Sequence, residues 1–132
     1  MPVGEDFGKL IMDSRLIMGT LEMLMLDVIS RGPSYGYEIA QTVGERSSGV
    51  FEMKEGSLYP ALHRLEQQQY VSSYWQEIEG RRRKYYRISA SGKKALEAKK
   101  AEWKQFSQGV QGVLGLNLGA RSQVIRRMET GR

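Results

Sequence analysis

The sequence has no cysteine, a single histidine (His63) and only three prolines in 132 residues. Without cysteine there is no disulfide and no thiolate metal site, which suits a reducing cytoplasm. One histidine with no cysteine leaves no metal site to defend, and no Cys–His or Ser–His–Asp constellation. The carboxylates are plentiful but fall into no paired motif, and the glycines form no phosphate-cradling loop. No catalytic residue, metal or cofactor is therefore expected, and the chain does not read as an enzyme. Long apolar runs are also missing. The most apolar stretch, Leu16 to Ile29, carries Glu22 and Asp27, and it is shorter than the roughly 20 residues of a bilayer span. Residues Met1 to Asp13 include acids and no apolar run of leader type, so a secretory leader is not expected. These absences predict a soluble, cytoplasmic protein that does not engage a membrane.

Enough remains to build a core, since 40% of residues are hydrophobic. The net charge is +5 and the isoelectric point is about 9.6. A small basic protein calls for an acidic partner, and nucleic acid is the commonest. Residues 1–12 read as a flexible start. Helical spacing begins near Asp13: Ile17, Leu21, Leu24 and Val28 mark one face, widened by Met18, Met25 and Ile29. Ser30-Arg31-Gly32-Pro33 ends that helix. Ser34 is placed to cap a second helix, with Tyr37, Ala40 and Val43 as its inner face and Ser47-Ser48-Gly49 as its end. Val50 to Met53 reads as an extended linker. A third helix is expected from Gly56-Ser57 to about Gln69, with Pro60 in its first turn and Leu58, Leu62 and Leu65 buried.

The period then changes from helix to strand. Val71 to Ile78 and Tyr85 to Ile88 are rich in β-branched and aromatic residues, and Glu79-Gly80-Arg81-Arg82-Arg83 lies between them as a basic hairpin tip. Ser89-Ala90-Ser91-Gly92 is a break with capping serines. A last helix is expected from about Lys93 to Leu114. Leu96, Trp103, Phe106, Val110 and Val113 fall on a heptad-like seam, the pattern of helices that pair along their length. Lys99 interrupts the seam, and Gly109, Gly112 and Gly115 weaken its end. Residues 116–132 read as a loose basic tail. The fold class is thus mainly α with a small β-hairpin wing. A winged helix-turn-helix (13–92) is followed by a dimerisation helix (93–115).

In this architecture the third helix reads DNA, because the start of a recognition helix reaches base edges in the major groove. Lys54, Ser57, Tyr59, His63 and Arg64 are its polar and basic candidates. Tyr59 reads equally well as core, and Arg64 as solvated surface. The hairpin is more telling: Arg81, Arg82, Arg83 and Lys84 are consecutive cations. Residues 71–104 hold ten of the twenty Lys and Arg but four of the fifteen acids. That asymmetry favours a wing directed at the phosphate backbone or minor groove. Leu21, Leu24 and Val28 are candidates for the dimer interface together with the seam, and Trp103 is a candidate for stacking a small aromatic effector, although a Trp on such a seam is more often just interface core.

Three runs resemble one family. Gly32-Pro33-Ser34-Tyr35-Gly36-Tyr37-Glu38-Ile39 looks like the start of the PadR-type regulator domain. Gly56-Ser57-Leu58-Tyr59-Pro60-Ala61-Leu62-His63-Arg64-Leu65-Glu66 is similar to that family's recognition-helix signature. Arg83-Lys84-Tyr85-Tyr86-Arg87-Ile88-Ser89, with Ser91-Gly92, looks like its second wing strand and the link to the last helix. The resemblance spans roughly residues 14–114. It implies a homodimer joined through the first and last helices, double-stranded DNA as partner and repression at a palindromic operator, often relieved by a phenolic acid or drug. The multidrug-sensing members resemble this chain in carrying a Trp near the position of Trp103. The last helix is of the family's short type. One departure is Gln69, where the family turns out of the recognition helix with Gly. A left-handed residue there costs Gln some strain. The rival readings are a winged-helix module that binds protein rather than DNA, and a nucleic-acid enzyme. The first would favour an uncharged or acidic third helix and wing, and the second would need a carboxylate cluster or metal ligands.

Overall fold

The computed structural model describes residues 15–116, with side chains from Gly19 onward. The helix start placed at Asp13, the side chains of Ile17 and Met18, the segment 1–12 and the tail 117–132 lie outside the described residues. Within them the order is α1 (Arg15–Ser30), β1 (Ser34–Tyr35), α2 (Gly36–Arg46), α3 (Glu55–Gln67), β2 (Val71–Ile78), β3 (Arg81–Ile88) and α4 (Ala90–Leu114). The three strands form one antiparallel sheet in the order β1-β3-β2. Two compact units are distinguished, one ending at Glu97 and the other starting at Ala98, and α4 continues through that boundary.

The first unit is built around α1, which is apolar on more than one side. Leu21, Met25, Leu26, Val28 and Ile29 are all buried, as is Met23. Against them pack Ile39 and Val43 of α2, Leu58, Ala61, Leu62 and Leu65 of α3, Val71 and Tyr86 of the sheet, and Leu96 of α4. Leu26, Leu62 and Leu65 have no exposed surface, so truncating any of them to Ala costs about 2–5 kcal/mol. Polar ties reinforce the packing. Asp27 of α1 pairs with Arg31 at 3.1 Å and with Arg46 of α2 at 3.4 Å.

Several local expectations are corrected. Ser34 does not cap α2. It joins β1 opposite Tyr86, its hydroxyl donates to the Gly32 carbonyl at 3.2 Å, and Tyr35 holds the N-cap position without a side-chain cap. Tyr37 is 67% exposed rather than inward, because Ile39 and Val43 take the inner face. α3 begins at Glu55 and ends at Gln67, so Pro60 is its sixth residue and sits past the first turn. Proline has no N–H to give the carbonyl four residues back, at Gly56.

Gln69 does take the left-handed conformation (φ 63°). Its N–H bonds the Glu66 carbonyl, and the Tyr70 N–H bonds that of Leu65, each at 3.0 Å. These two bonds are a Schellman cap, and they offset the strain of a non-Gly residue at that site. The next two carbonyls of the turn are used as well. Ser89 Oγ donates to the carbonyl of Gln69 at 2.7 Å, and Ser91 Oγ to the same carbonyl at 3.0 Å. The Ser89 N–H donates to that of Tyr70 at 2.9 Å. Ser89 also caps α4, accepting the Gly92 N–H at 3.0 Å. A Cβ on Gly92 would stand 2.1 Å from the Tyr70 oxygen, so only glycine fits where α4 crosses the α3–β2 turn.

Candidate nucleic-acid interface

The exposed side of α3 follows from its buried one. With Leu58, Ala61, Leu62 and Leu65 inward, Tyr59, Pro60, His63 and Gln67 are exposed. Their spacing of three and four places them on one helical face. Gln67 is not among the residues that the sequence singles out. It stands four residues after His63, and a glutamine there suits the bidentate recognition of adenine. Tyr59 combines both of its readings. Its ring lies so close to Gly36 that a Cβ there would stand 2.8 Å from the phenol oxygen, yet the side chain is 47% exposed. Tyr37 faces the same open cleft of about 430 Å³ between α2 and α3, which Tyr59, Phe51 and Leu58 also line.

Lys54 occupies the N-cap of α3 with no side-chain cap bond, and its carbonyl accepts the N–H groups of Ser57 (2.9 Å) and Leu58 (2.8 Å). A cation at the positive end of a helix dipole is unfavourable by itself. Together with the helix N-terminus it suits a phosphate. Arg64 behaves differently. Its Nε lies 3.4 Å from Glu22 Oε1 of α1, without hydrogen-bond geometry. The guanidinium is drawn back toward the body of the domain.

The wing is a tight hairpin. Ile78 pairs with Arg81, so the loop is only Glu79-Gly80, and both take positive φ (53° and 77°). This is the twist of a type I′ turn. The cations therefore do not sit on a basic tip as expected. They begin strand β3 and alternate between its two sides. Arg81 and Arg82 are exposed, and the Arg82 guanidinium lies 4.8 Å from the Trp75 ring. Arg83 is half-buried over Tyr35 at 4.4 Å. Lys84 is half-buried too, 5.7 Å from the Tyr86 ring and 3.8 Å from Glu66 of α3. Glu66 also accepts a short hydrogen bond from Ser73 of β2. It braces the reading helix to both wing strands. Tyr86, beneath this brace, has its phenol pushed above the usual 10.0, first by burial and then by the charge of Glu66.

A family model, described as the transcriptional regulator PadR-like family, matches residues 25–98. The chain belongs to the PadR-like family of transcriptional regulators. DNA binding is a property of that family, and its members are regulators rather than enzymes. An uncharacterized protein of Lysinibacillus sphaericus is 35% identical over 96 residues, covering 72% of this chain and 88% of its own length. The transcriptional regulator YqjI of Escherichia coli is 25% identical over 112 residues, 84% of this chain and 53% of its own length. Among solved structures, a transcriptional regulator from Clostridium thermocellum is 34% identical with a TM-score of 0.68, covering 80% of this chain and 99% of its own. A PadR family transcription regulator from Clostridium difficile is 39% identical with a TM-score of 0.63, covering 73% and 98%. The mainly helical winged fold is thus that of PadR-like regulators. Among the described residues no helix is long and apolar enough to cross a membrane, and no group of His, Cys, Asp and Glu could hold a metal ion.

The expected dimer residues divide into two groups. Leu21, Val28 and Leu96 are buried within the first unit and have little surface left to offer a partner, whereas Leu24 is only partly buried. In the second unit Trp103 (45%), Phe106, Val110 and Val113 (88%) are exposed, joined by Leu114. The Trp103 and Phe106 ring centroids are 5.8 Å apart.

Proposed function

We propose that this PadR-like regulator is a cytoplasmic homodimeric repressor of a palindromic operator, released by a small flat aromatic ligand. The observation that carries the reading is the apolar seam of α4, which is exposed among the described residues. Phe106, Gly109, Val110, Val113 and Leu114 line an open groove of about 570 Å³. Heptad-like spacing of that kind is completed by a second helix of the same pattern, and a two-fold axis makes the surface self-complementary. On each protomer, Lys54, Ser57, Tyr59, His63 and Gln67 would meet bases and phosphates in the major groove. Arg81 and Arg82 would follow the backbone. Trp103 supplies a large flat face, which a planar ligand near the dimer axis would stack on.

Sedimentation tests the assembly. The wild type is expected as a dimer and Val113→Glu as a monomer. Fragments selected from the source genome should contain inverted repeats with half-site centres roughly 34 Å apart. For the ligand, Trp75→Phe leaves Trp103 as the only tryptophan, since the sequence has two. Planar cationic dyes and phenolic acids should quench it saturably and lower operator affinity together. A stable monomer that binds DNA tightly would overturn the dimer, and absence of any quenching would reduce Trp103 to packing.

A further inference from the structure

The side of the wing sheet turned away from the core is built from tyrosine and arginine. The register places Tyr35 opposite Tyr85 and Tyr85 opposite Tyr74, all on that side, with Arg81, Arg83 and Arg87 between them along β3. Tyr35 meets Tyr85 edge-on at 5.4 Å, and Tyr74 stacks on Tyr85 at 5.8 Å. Arg83 covers Tyr35 at 4.4 Å and Arg87 covers Tyr74 at 4.5 Å. Tyr85 is buried, yet it lies outside the hydrophobic core cluster, so its cover is this layer. The remaining residues of the face are Ser72, Gln76 and Ile78. The strands put no carboxylate on this side.

We infer that this outer face docks an acidic segment of another protein. Arg83 and Arg87, two guanidinium groups with no carboxylate beside them on this face, are complementary to a run of carboxylates, and Arg81 stands apart from them next to the turn. Cation–π contact engages the face of a guanidinium and leaves its edge N–H donors available, and the fork matches carboxylate geometry. Two other polyanions fit less well. A single strand of nucleic acid needs free aromatic faces for base stacking, and here the Tyr74 ring is already engaged by both Tyr85 and Arg87. For Arg83 and Arg87, away from the hairpin end, duplex DNA held by α3 is on the wrong side of the sheet. Glu66 of α3 reaches Ser73 and Lys84, whose side chains project on the core side, opposite Arg83 and Arg87. The β2 edge is free of any strand partner among the described residues, which gives an extended segment backbone groups to follow. This inference does not depend on repression, dimerisation or a ligand.

The test uses the full chain and a fluorescein-labelled peptide of alternating Glu and Thr, followed by anisotropy near physiological salt. Arg87→Gln should weaken binding about fivefold, the scale of one exposed charge pair, and leave affinity for random duplex DNA unchanged. Ser72→Glu, which sets a carboxylate opposite Arg87, should weaken it at least as much without touching the Arg87–Tyr74 contact. Lys94→Gln removes the same charge from exposed α4 surface and should change binding less than about twofold. Saturating random duplex should leave the peptide bound. Equal losses in Lys94→Gln and Arg87→Gln would reduce the effect to net charge, and full displacement by duplex would make the face a DNA surface. Either result overturns the inference.

Discussion

The four consecutive cations of β3 are not equivalent, and a salt series separates them. Arg81 and Arg82 are exposed, whereas Arg83 and Lys84 are half-buried, one over Tyr35 and the other between Tyr86 and Glu66. A cation that neutralises a phosphate releases condensed counterions, and each such contact adds about 0.9 to the slope of log affinity against log salt. Replacing Arg81 and Arg82 together by Ala should lower that slope by about 1.8. Between roughly 50 and 200 mM salt the wild type should then lose about tenfold more affinity than the double variant. Lys84→Ala should leave the slope nearly unchanged, because its charge is already paired with Glu66. Arg83→Ala should cost about 0.5–1 kcal/mol of stability through the lost cation–π contact, with little change of slope. The assay is fluorescence anisotropy of a labelled random duplex over the salt series, with urea unfolding as the stability control. A double variant with the wild-type slope would make the wing a solvated turn. A slope change for Lys84→Ala as large as that of the exposed pair would refute the assignment of Lys84 as a brace.

Three further outcomes are expected. Gly92→Ala forces a methyl group into the Tyr70 carbonyl at 2.1 Å. Overpacking and loss of the Ser89 bonds should cost about 3 kcal/mol or more, read as a lower urea midpoint. A wild-type midpoint would mean that the turn moves aside freely. Glu66→Ala should cost roughly 1–2 kcal/mol and, by freeing Lys84, tighten binding to random duplex; unchanged stability would remove the brace. Tyr86 resists ionisation in the folded chain, so its contribution is fully present below the ordinary phenol value of 10.0 and is lost as pH climbs past it toward the raised folded value. Urea midpoints measured upward from about pH 9 should fall less steeply in Tyr86→Phe than in the wild type, and parallel profiles would show that the burial of Tyr86 has no such consequence.

Much of the architecture is legible in the sequence because it rests on periodicity. Leu58, Leu62 and Leu65 repeat at helical spacing, and they are the buried edge of α3. Val71 to Ile78 stands out by residue type rather than period, being rich in β-branched and aromatic residues, and it is β2 over those same bounds. Gly92, which the sequence marks only as part of a break, is required by one interatomic distance. The misses fall where tertiary contacts outweigh local signals. Ser34 is a good cap by type, but pairing with Tyr86 places it in a strand. The arginine run hides a strand, because charge obscures the alternation and the Glu79-Gly80 turn is not one of the strongest hairpin signals. Tyr37 reads as inward because it falls on one face with Ala40 and Val43, while β-branched Ile39 and Val43 fill the buried side.

Local chemistry by itself determined the order of the helices and the hairpin, the family-like runs and the basic character of the wing, since each depends on residue type at short spacing. Which charges are available to a partner was decided only by the fold. Arg64 and Arg82 are both exposed and look alike in the sequence, yet one has a carboxylate 3.4 Å away in Glu22 and the other lies over the Trp75 ring. Lys84 follows Arg83 directly, and the strand sends the two to opposite sides, one to Glu66 and the other to Tyr35. The availability of a charge depends on what lies within a few ångströms, and Glu22 is 42 positions from Arg64 in the chain. No local pattern spans that separation; packing α1 against α3 does.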